Sequence, residues 1–160
     1  MTVKFITTGG TIDKIYFDAN SRFEVGESVL EHILAEARVG FDVEIEPLMR
    51  KDSLEMTDAD RQRLRDVIEA DNADRFVITH GTDTMTASAE ALLGLAGKTI
   101  VLTGALSPAR FRSTDATFNV GMAVAAAQTL PGGVYLAANG RIFAAGEVRK
   151  NIAEQRFEAL

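Results

Sequence analysis

Two hydroxyl-rich segments, 7–12 and 79–84, carry the side chains best suited to chemistry in this chain. They read TTGGTI and THGTDT. Each follows a short, mostly apolar run, 3–6 or 76–78, of the kind that forms a buried β-strand. Because ligands of an open α/β sheet bind outside the carboxyl ends of its strands, we expect both segments to contribute to one site.

A phosphate site is the first interpretation to consider for the glycine turn of the first segment. The surrounding sequence lacks the GxGxxG pattern of dinucleotide-binding folds and the GK[ST] ending of a P-loop. The turn leads instead into Thr11, and a threonine hydroxyl acts as a nucleophile when a base removes its proton. A plain turn with a helix-capping hydroxyl explains the motif about as well, so this motif alone leaves both interpretations open.

The second segment combines an imidazole, a carboxylate and several hydroxyls. Asp83 can receive a ligand's ammonium group, orient a hydroxyl, or cap the next helix. His80 is a candidate general base, but a structural role is favoured because the sequence shows no acidic partner to orient it. Lys150 lies far along the chain and by composition is a surface lysine. A lysine desolvated beside a hydroxyl would instead lose its proton and act as a base.

Alternating strand and helix signals predict the elements that must position these residues. Residues 8–26 read as a long polar loop. The other predicted elements are strands at 3–7, 41–45, 75–79, 98–103 and 134–138, and helices at 27–38, from 57 onward, at 84–96 and at 115–129. Asn139 and Gly140 indicate a β-hairpin in which 141–144 returns antiparallel. We therefore predict a single flavodoxin-like α/β domain, with a mostly parallel sheet, helices on both faces and a C-terminal β-hairpin.

Chain length, net charge and cysteine content exclude several classes of function. The chain has 160 residues, which fits one domain, and a net charge of -6, which argues against a nucleic-acid role. The sequence contains no cysteine, so neither disulfides nor thiol catalysis are expected, and this fits a cytoplasmic protein. Its start lacks a signal-peptide pattern, and no segment is long enough to span a membrane.

Residues 8–12 and 80–85 together resemble the two signatures of the bacterial-type L-asparaginase family, in the same order and with a similar separation. Four further segments are similar to parts of that family: 52–57, 101–105, 113–119 and 146–150. Two motifs in the right order are far more specific than either one alone. The resemblance implies an amidohydrolase that converts L-asparagine to L-aspartate and ammonia, and it implies no cofactor and no metal.

The catalytic roles follow from the resemblance. Thr11 would attack the side-chain amide of asparagine, and water would then hydrolyse the aspartyl ester. Thr82, Asp83 and Lys150 would form a second polar triad in which the lysine acts on the threonine. The base for Thr11 is expected to be a tyrosine in the loop after the first motif, which selects Tyr16.

Two aromatic residues bear on this selection of the base. Tyr135, the other tyrosine of the sequence, lies far from the loop along the chain. Phe23 stands at a spacing closer to that of the family's tyrosine.

The resemblance also implies a substrate-binding set. Ser53 and Asp83 would grip the α-carboxylate and α-amino groups, and backbone N–H groups at the glycine turns would stabilise the oxyanion. Leu54 stands where the family often has a polar contact. The complete implied set is Gly10, Ser53, Gly81, Thr82, Asp83 and Ala105.

The main departure from the family concerns domain organisation. Family members usually carry a second, C-terminal α/β domain, which from a neighbouring subunit adds an acidic group to the pocket. Residues 1–160 correspond to the N-terminal type of domain alone, so we expect a homo-oligomer or an open site. Two alternatives are a non-catalytic module that binds aspartate or asparagine, and an ammonia-generating subunit of an amidotransferase.

Overall fold

The computed structural model describes residues 1–17, 19 and 21–160. Its regular elements, in chain order, are β1 (Thr2–Gly9), β2 (Lys14–Phe17), β3 (Arg22–Val25), α1 (Leu30–Glu36), β4 (Asp42–Lys51), α2 (Asp58–Ala70), β5 (Arg75–Thr79), α3 (Met85–Ala91), β6 (Thr99–Thr103), α4 (Ala116–Thr129), β7 (Gly133–Ala138), β8 (Arg141–Ala144), β9 (Val148–Asn151) and β10 (Arg156–Ala159). Short 3-10 turns occupy Thr11–Asp13 and Ser53–Glu55.

The central sheet has the strand order β4-β1-β5-β6-β7-β8 within the described part of the chain. The pairs from β4 through β7 are parallel, and β8 is antiparallel to β7. The first five strands follow the flavodoxin-like order, in which the chain changes direction across the sheet at β1. Ligands bind at this switch point, where the ends of β1 and β5 lie side by side. The predicted fold class is confirmed.

Both faces of the sheet are buried. Phe76 and Ile78 of β5 pack with α2 and α3 on one face, whereas Val77 packs with α1 and α4 on the other. All three side chains are fully buried. A central strand of a parallel sheet is covered on both sides, which explains its continuous apolar sequence.

Local sequence signals set several element boundaries. Thr57 and Asp60 form a capping box at the start of α2, so the helix predicted from residue 57 onward is confirmed. Asn139 and Gly140 adopt positive φ angles of 54° and 73° and connect β7 to β8. This is the two-residue turn that an Asn-Gly pair favours, and the predicted C-terminal hairpin is confirmed.

Two regions differ from the sequence-based prediction. The predicted loop 8–26, of which residues 18 and 20 lie outside the described residues, contains the antiparallel β2–β3 hairpin. The chain after β8 forms a second antiparallel pair, β9 with β10. α1 and α3 are also shorter than predicted. β2 and β3 are exposed or half-buried along their whole length, and β9 and β10 each bury one side chain, Val148 and Phe157. Neither pair therefore shows an alternating pattern that would reveal its strands.

Within the described residues, no helix combines the length and the apolar character that crossing a bilayer would require.

Candidate functional site

Glycine-bearing turns from three strands converge at the carboxyl edge of the sheet. A methyl group on Gly10, which has a φ of 91°, would overlap the backbone of Gly81. One on Gly81 would lie 2.6 Å from the Ser53 hydroxyl oxygen, and one on Gly104 would overlap the carbonyl of His80. The sequence needs glycine at these positions because the backbones touch. The turns after β1, β4, β5 and β6 are therefore assembled as one unit.

The predicted polar triad is brought together. Lys150 on β9 donates hydrogen bonds from Nζ to Oγ1 of Thr82 at 2.8 Å and to Oδ1 of Asp83 at 2.5 Å. Thr82 is buried, and the Lys150 side chain is 16% exposed, whereas Asp83 opens to solvent with 45% of its side chain exposed. The lysine thus contacts a sheltered hydroxyl and a carboxylate that a ligand can reach. This arrangement suits proton transfer at the hydroxyl.

Thr11 begins the 3-10 turn that follows Gly10. The turn is held from both ends, since Gly10 N–H donates to the Lys51 carbonyl at 2.9 Å and Lys14 N–H donates to the Thr11 carbonyl. Ile12 and Asp13 are buried and anchor it. Among the described residues, the Thr11 hydroxyl has no hydrogen-bond partner, so it is free for a base and a substrate.

The expected oxyanion donors differ in availability. The Gly10 N–H is occupied by the Lys51 carbonyl. The N–H groups of Gly81 and Thr82 have no partner among the hydrogen bonds of the described chain. Of the three groups, the latter two remain available to a developing negative charge.

Ser53 and Ala105 lie at the ends of β4 and β6. Ser53 is 1% exposed, and its hydroxyl oxygen lacks a partner among the described residues. Its carbonyl accepts a hydrogen bond from the Thr84 hydroxyl at 2.7 Å, which ties the Ser53 turn to the turn after β5. Ala105 is buried beside Gly104, whose carbonyl accepts a bond from Asn119 at 2.9 Å. Both residues thus lie on turns that contact the turn after β5.

Tyr16 lies on β2 with half of its surface exposed. Its ring is 5.4 Å from that of its cross-strand partner Phe23, which in turn lies 5.8 Å from Phe111. Within the described chain, no hydrogen bond joins the Tyr16 phenol to Thr11. The structure thus places the predicted base on the hairpin that follows the nucleophile, and its catalytic role remains a proposal.

His80 has the structural environment that the sequence favoured. It is fully buried between the Gly81 carbonyl, 2.7 Å from Nδ1, and the Ser88 hydroxyl, 2.8 Å from Nε2. Since a carbonyl only accepts, Nδ1 carries the proton and Nε2 accepts from Ser88. Burial lowers the pKa of His80 to about 4, so the ring is neutral at pH 7. Arg61 Nε donates to the same Ser88 oxygen at 3.2 Å.

Asp13 is a buried carboxyl group that sequence reasoning missed. Its Oδ1 accepts a hydrogen bond from the Val29 N–H at 3.0 Å, just before α1. Burial raises the pKa of Asp13 to about 6, although the hydrogen bonds from Val29 and Ser28 and the charges of Arg110 and Arg50 act in the opposite direction. Nothing in the residue spacing distinguishes this carboxyl from a surface one.

An ion pair between Lys14 and Asp52 was also not anticipated. The two charged atoms are 2.8 Å apart and join the start of β2 to the Ser53 turn. Burial acts to raise the pKa of Asp52. The hydrogen bonds from Lys14 and the Leu54 N–H, together with the charges of Lys14 and Lys150, nevertheless hold that pKa below its ordinary value. The described residues include no cluster of three or more His, Asp or Glu side chains able to hold a metal ion.

The fold and the site define a flavodoxin-like α/β protein with a hydroxyl, a carboxylate and an ammonium group at its topological switch point. The chain belongs to the asparaginase family, since the family model described as "Asparaginase, N-terminal" matches residues 2–160. The sequence-based family assignment is thereby confirmed.

Three proteins illustrate this relationship. The chain is 32% identical over 159 residues to a probable periplasmic L-asparaginase of Haemophilus influenzae, covering 92% of this chain and 46% of that protein. It superposes with a TM-score of 0.82 and 27% identity on the thermostable L-asparaginase from Thermococcus kodakarensis, covering all of this chain and 51% of the other. The probable cytoplasmic L-asparaginase from Campylobacter jejuni gives a TM-score of 0.76 at 32% identity, covering 93% and 48%. The chain therefore spans about half the length of the relatives it matches.

Proposed function

We propose that this chain hydrolyses L-asparagine to L-aspartate and ammonia. The single observation that carries the proposal is the contact of Lys150 with both Thr82 and Asp83 beside the Gly10–Gly81 junction. Similarity to L-asparaginases over the whole length of the chain supports the choice of substrate. A hydroxyl held by a lysine, and a second, unpaired hydroxyl on the turn that touches it, supply groups that nucleophilic acyl transfer can use.

In the first half of the proposed reaction, the Thr11 oxygen bonds to the amide carbon while its proton passes to the Tyr16 phenol oxygen, which releases its own O–H proton to the amide nitrogen. The C–N bond then breaks, and the nitrogen leaves as ammonia. The N–H groups of Gly81 and Thr82 stabilise the negative charge that develops on the carbonyl oxygen.

In the second half, water adds to the ester carbon. The C–O bond to Thr11 breaks, its oxygen regains a proton, and aspartate is released. Lys150 and Thr82 move protons at this stage, and Asp83 holds the lysine in place. The α-ammonium group of the substrate binds the exposed oxygen of Asp83, and its α-carboxylate faces the Ser53 hydroxyl.

Ammonia release by hydroxyl-deleted variants tests this reaction. Thr11→Ala and Thr82→Ala should each lower kcat for L-asparagine by roughly 100-fold or more, whereas Thr117→Ala, on the exposed face of α4, should not change it. Full activity in both site variants would overturn the mechanism. Binding of L-aspartate without any ammonia release by the unaltered protein would favour the non-catalytic binding module.

The role of Tyr16 has its own matched pair of variants. Tyr16→Phe removes one hydroxyl from the hairpin, and Tyr135→Phe removes the other tyrosine hydroxyl, which donates to the Pro131 carbonyl away from the site. The proposal expects loss of kcat in the first variant only. Equal activity in both would assign the base for Thr11 to another group.

We also propose that the chain self-associates. The outer face of α4 carries the exposed residues Phe118, Gly121 and Ala125 at helical spacing, and Phe118 is 65% exposed. The helix contains no charged residue, so two copies of an acidic chain can approach here with little repulsion. Analytical ultracentrifugation of the unaltered chain and of Phe118→Glu tests this, with a monomeric variant expected.

A cytoplasmic location is proposed as well. It is supported by similarity to the probable cytoplasmic L-asparaginase of Campylobacter jejuni and by the absence of cysteine. The Haemophilus influenzae relative, in contrast, is described as periplasmic. Fractionation of the source cells, followed by immunoblotting of each fraction, distinguishes the two locations.

A further inference from the structure

We infer that Lys14 binds the α-carboxylate of the substrate and that Asp52 positions Lys14 for this contact. The inference rests on the proposed function and adds a substrate-binding residue to it. It concerns Lys14, which lies outside the segments that resemble the family, and Asp52, to which the resemblance assigns no role.

The turn after β1 places Lys14 next to the nucleophile. Thr11 and Lys14 are the first residue and the C-cap of one 3-10 turn, closed by a hydrogen bond from the Lys14 N–H to the Thr11 carbonyl. The Lys14 backbone therefore lies one 3-10 turn away from Thr11, at the start of β2.

Asp52 fixes the other end of that side chain beside Ser53. Its Oδ2 lies 2.8 Å from Lys14 Nζ, and its Oδ1 accepts the Leu54 N–H at 3.1 Å. An ammonium group has three donors, and in the described chain Asp52 is the sole side chain that Lys14 Nζ contacts. With 26% of the Lys14 side chain exposed, donors remain for a ligand at the turn that carries Asp52 and Ser53.

The chemistry of the neighbouring turn supports this assignment. Leu54 is 73% exposed and presents a hydrocarbon side chain that cannot bind a charged group. Lys14, held by Asp52 at the start of the same turn, is a cation that can bind one there.

The charges around the site also match a dipolar ligand. Lys14 and Lys150 are opposed by Asp52 and Asp83, and the charge of Lys150 acts on Asp52 across the site. The four groups sum to zero charge with the signs alternating. Such a site favours a zwitterion over an acid or an amine alone, because each charged end of the ligand meets an opposite charge.

Three amide substrates distinguish recognition of the carboxylate by Lys14 from a purely structural role of the Lys14–Asp52 ion pair. L-Asparagine carries both charged groups, succinamate lacks the ammonium group, and 3-aminopropanamide lacks the carboxylate. Lys14→Gln should lower kcat/KM for the first two by roughly 10- to 100-fold, mainly through KM, and leave 3-aminopropanamide unchanged. Lys14→Arg should recover part of the loss. Asp52→Asn keeps Lys14 but removes the carboxylate that positions it. It should lower kcat/KM less than Lys14→Gln does, and again only for the two amides that carry a carboxylate.

Equal losses on all three amides in Lys14→Gln would mean that the ion pair only holds the hairpin, and would overturn the inference. Affinity for L-aspartate, measured by calorimetry on the same variants, separates this outcome from failure of the proposed function. If the unaltered protein binds aspartate without releasing ammonia, and Lys14→Gln weakens that binding, the inference survives while the proposed reaction fails. Absence of aspartate binding by the unaltered protein would overturn both.

Discussion

The Nζ atom of Lys150 lies 2.8 Å from the Oγ1 atom of Thr82, although the two residues are 68 positions apart in the chain. Thr82 follows the central strand β5, whereas Lys150 lies on β9, outside the main sheet. β9 is held by its pairing with β10, and Phe157 of β10 is buried in the same core cluster as α3. The lysine is therefore positioned by packing on the sheet and not by any local motif.

Lys150→Met should abolish most of the activity while leaving the fold intact, because it removes the group that contacts the Thr82 hydroxyl. We expect kcat for L-asparagine to fall by roughly 100-fold or more, the usual contribution of a proton-transferring side chain. Arg149→Met is the matched control, since this neighbour is exposed and faces Glu158 at 3.6 Å. Steady-state ammonia release by both variants checks the prediction, and equal rates would contradict it.

Gly10→Ala should destabilise the protein by about 2 kcal/mol or more, because the added methyl group overlaps Gly81 and the residue has a φ of 91°. Urea unfolding followed by circular dichroism measures this loss. Gly40→Ala is the control, since a methyl group there meets no atom within 4 Å and its effect should stay within about 0.5 kcal/mol. Equal effects of the two substitutions would show that the turns do not meet as described.

Asp13→Asn should stabilise the protein at neutral pH. The folded protein binds the Asp13 proton more tightly than the unfolded chain does, because the pKa of Asp13 is raised from 3.8 to about 6. Stability is therefore lost as the pH rises from about 4 to about 6, and the loss persists above that range. Replacing the carboxylate should restore roughly 1–3 kcal/mol near pH 7.5 and much less near pH 4.

Urea unfolding of Asp13→Asn and the unaltered protein at the two pH values measures the difference. Asp42→Asn, at an exposed position at the start of β4, is the control for a general charge effect. A stability difference that is the same at both pH values would show that Asp13 does not titrate in this way.

Ser88→Ala should destabilise the protein by roughly 1–3 kcal/mol, because it leaves the buried Nε2 atom of His80 without its donor. Thr117→Ala, at an exposed position of α4, should have little effect. Thermal unfolding of the two variants near pH 7.5 compares them. If Ser88→Ala were as stable as the control, the hydrogen bonds from Arg61 to Ser88 and from Ser88 to His80 would contribute nothing to the stability of the fold.

The elements with strong burial patterns could be predicted from the sequence. β5 is buried on both faces, so its apolar run marks it directly, and the Asn139–Gly140 turn marks the β7–β8 hairpin. The β2–β3 hairpin could not be predicted in this way. Tyr16 and Phe23 face each other at half-exposed positions, where backbone pairing and ring contacts among Tyr16, Phe23 and Phe111 hold them. Because neither face of such a strand is buried, its sequence shows no regular alternation of apolar and polar residues.

The sequence by itself determined which chemical groups stand at the strand ends. Thr11, Thr82 and Asp83 were identifiable because a strand, its glycine turn and the hydroxyl after it are encoded within a few residues. Lys150 was expected beside Thr82 and Asp83 only from the family resemblance, and the other contacts around them were decided by the tertiary structure alone. The approach of Lys150 to Thr82, the burial of Asp13 and the pairing of Lys14 with Asp52 join residues far apart in the sequence or buried by distant elements. Such contacts depend on how whole helices and strands pack against one another. The conformational preferences of short segments do not encode this packing.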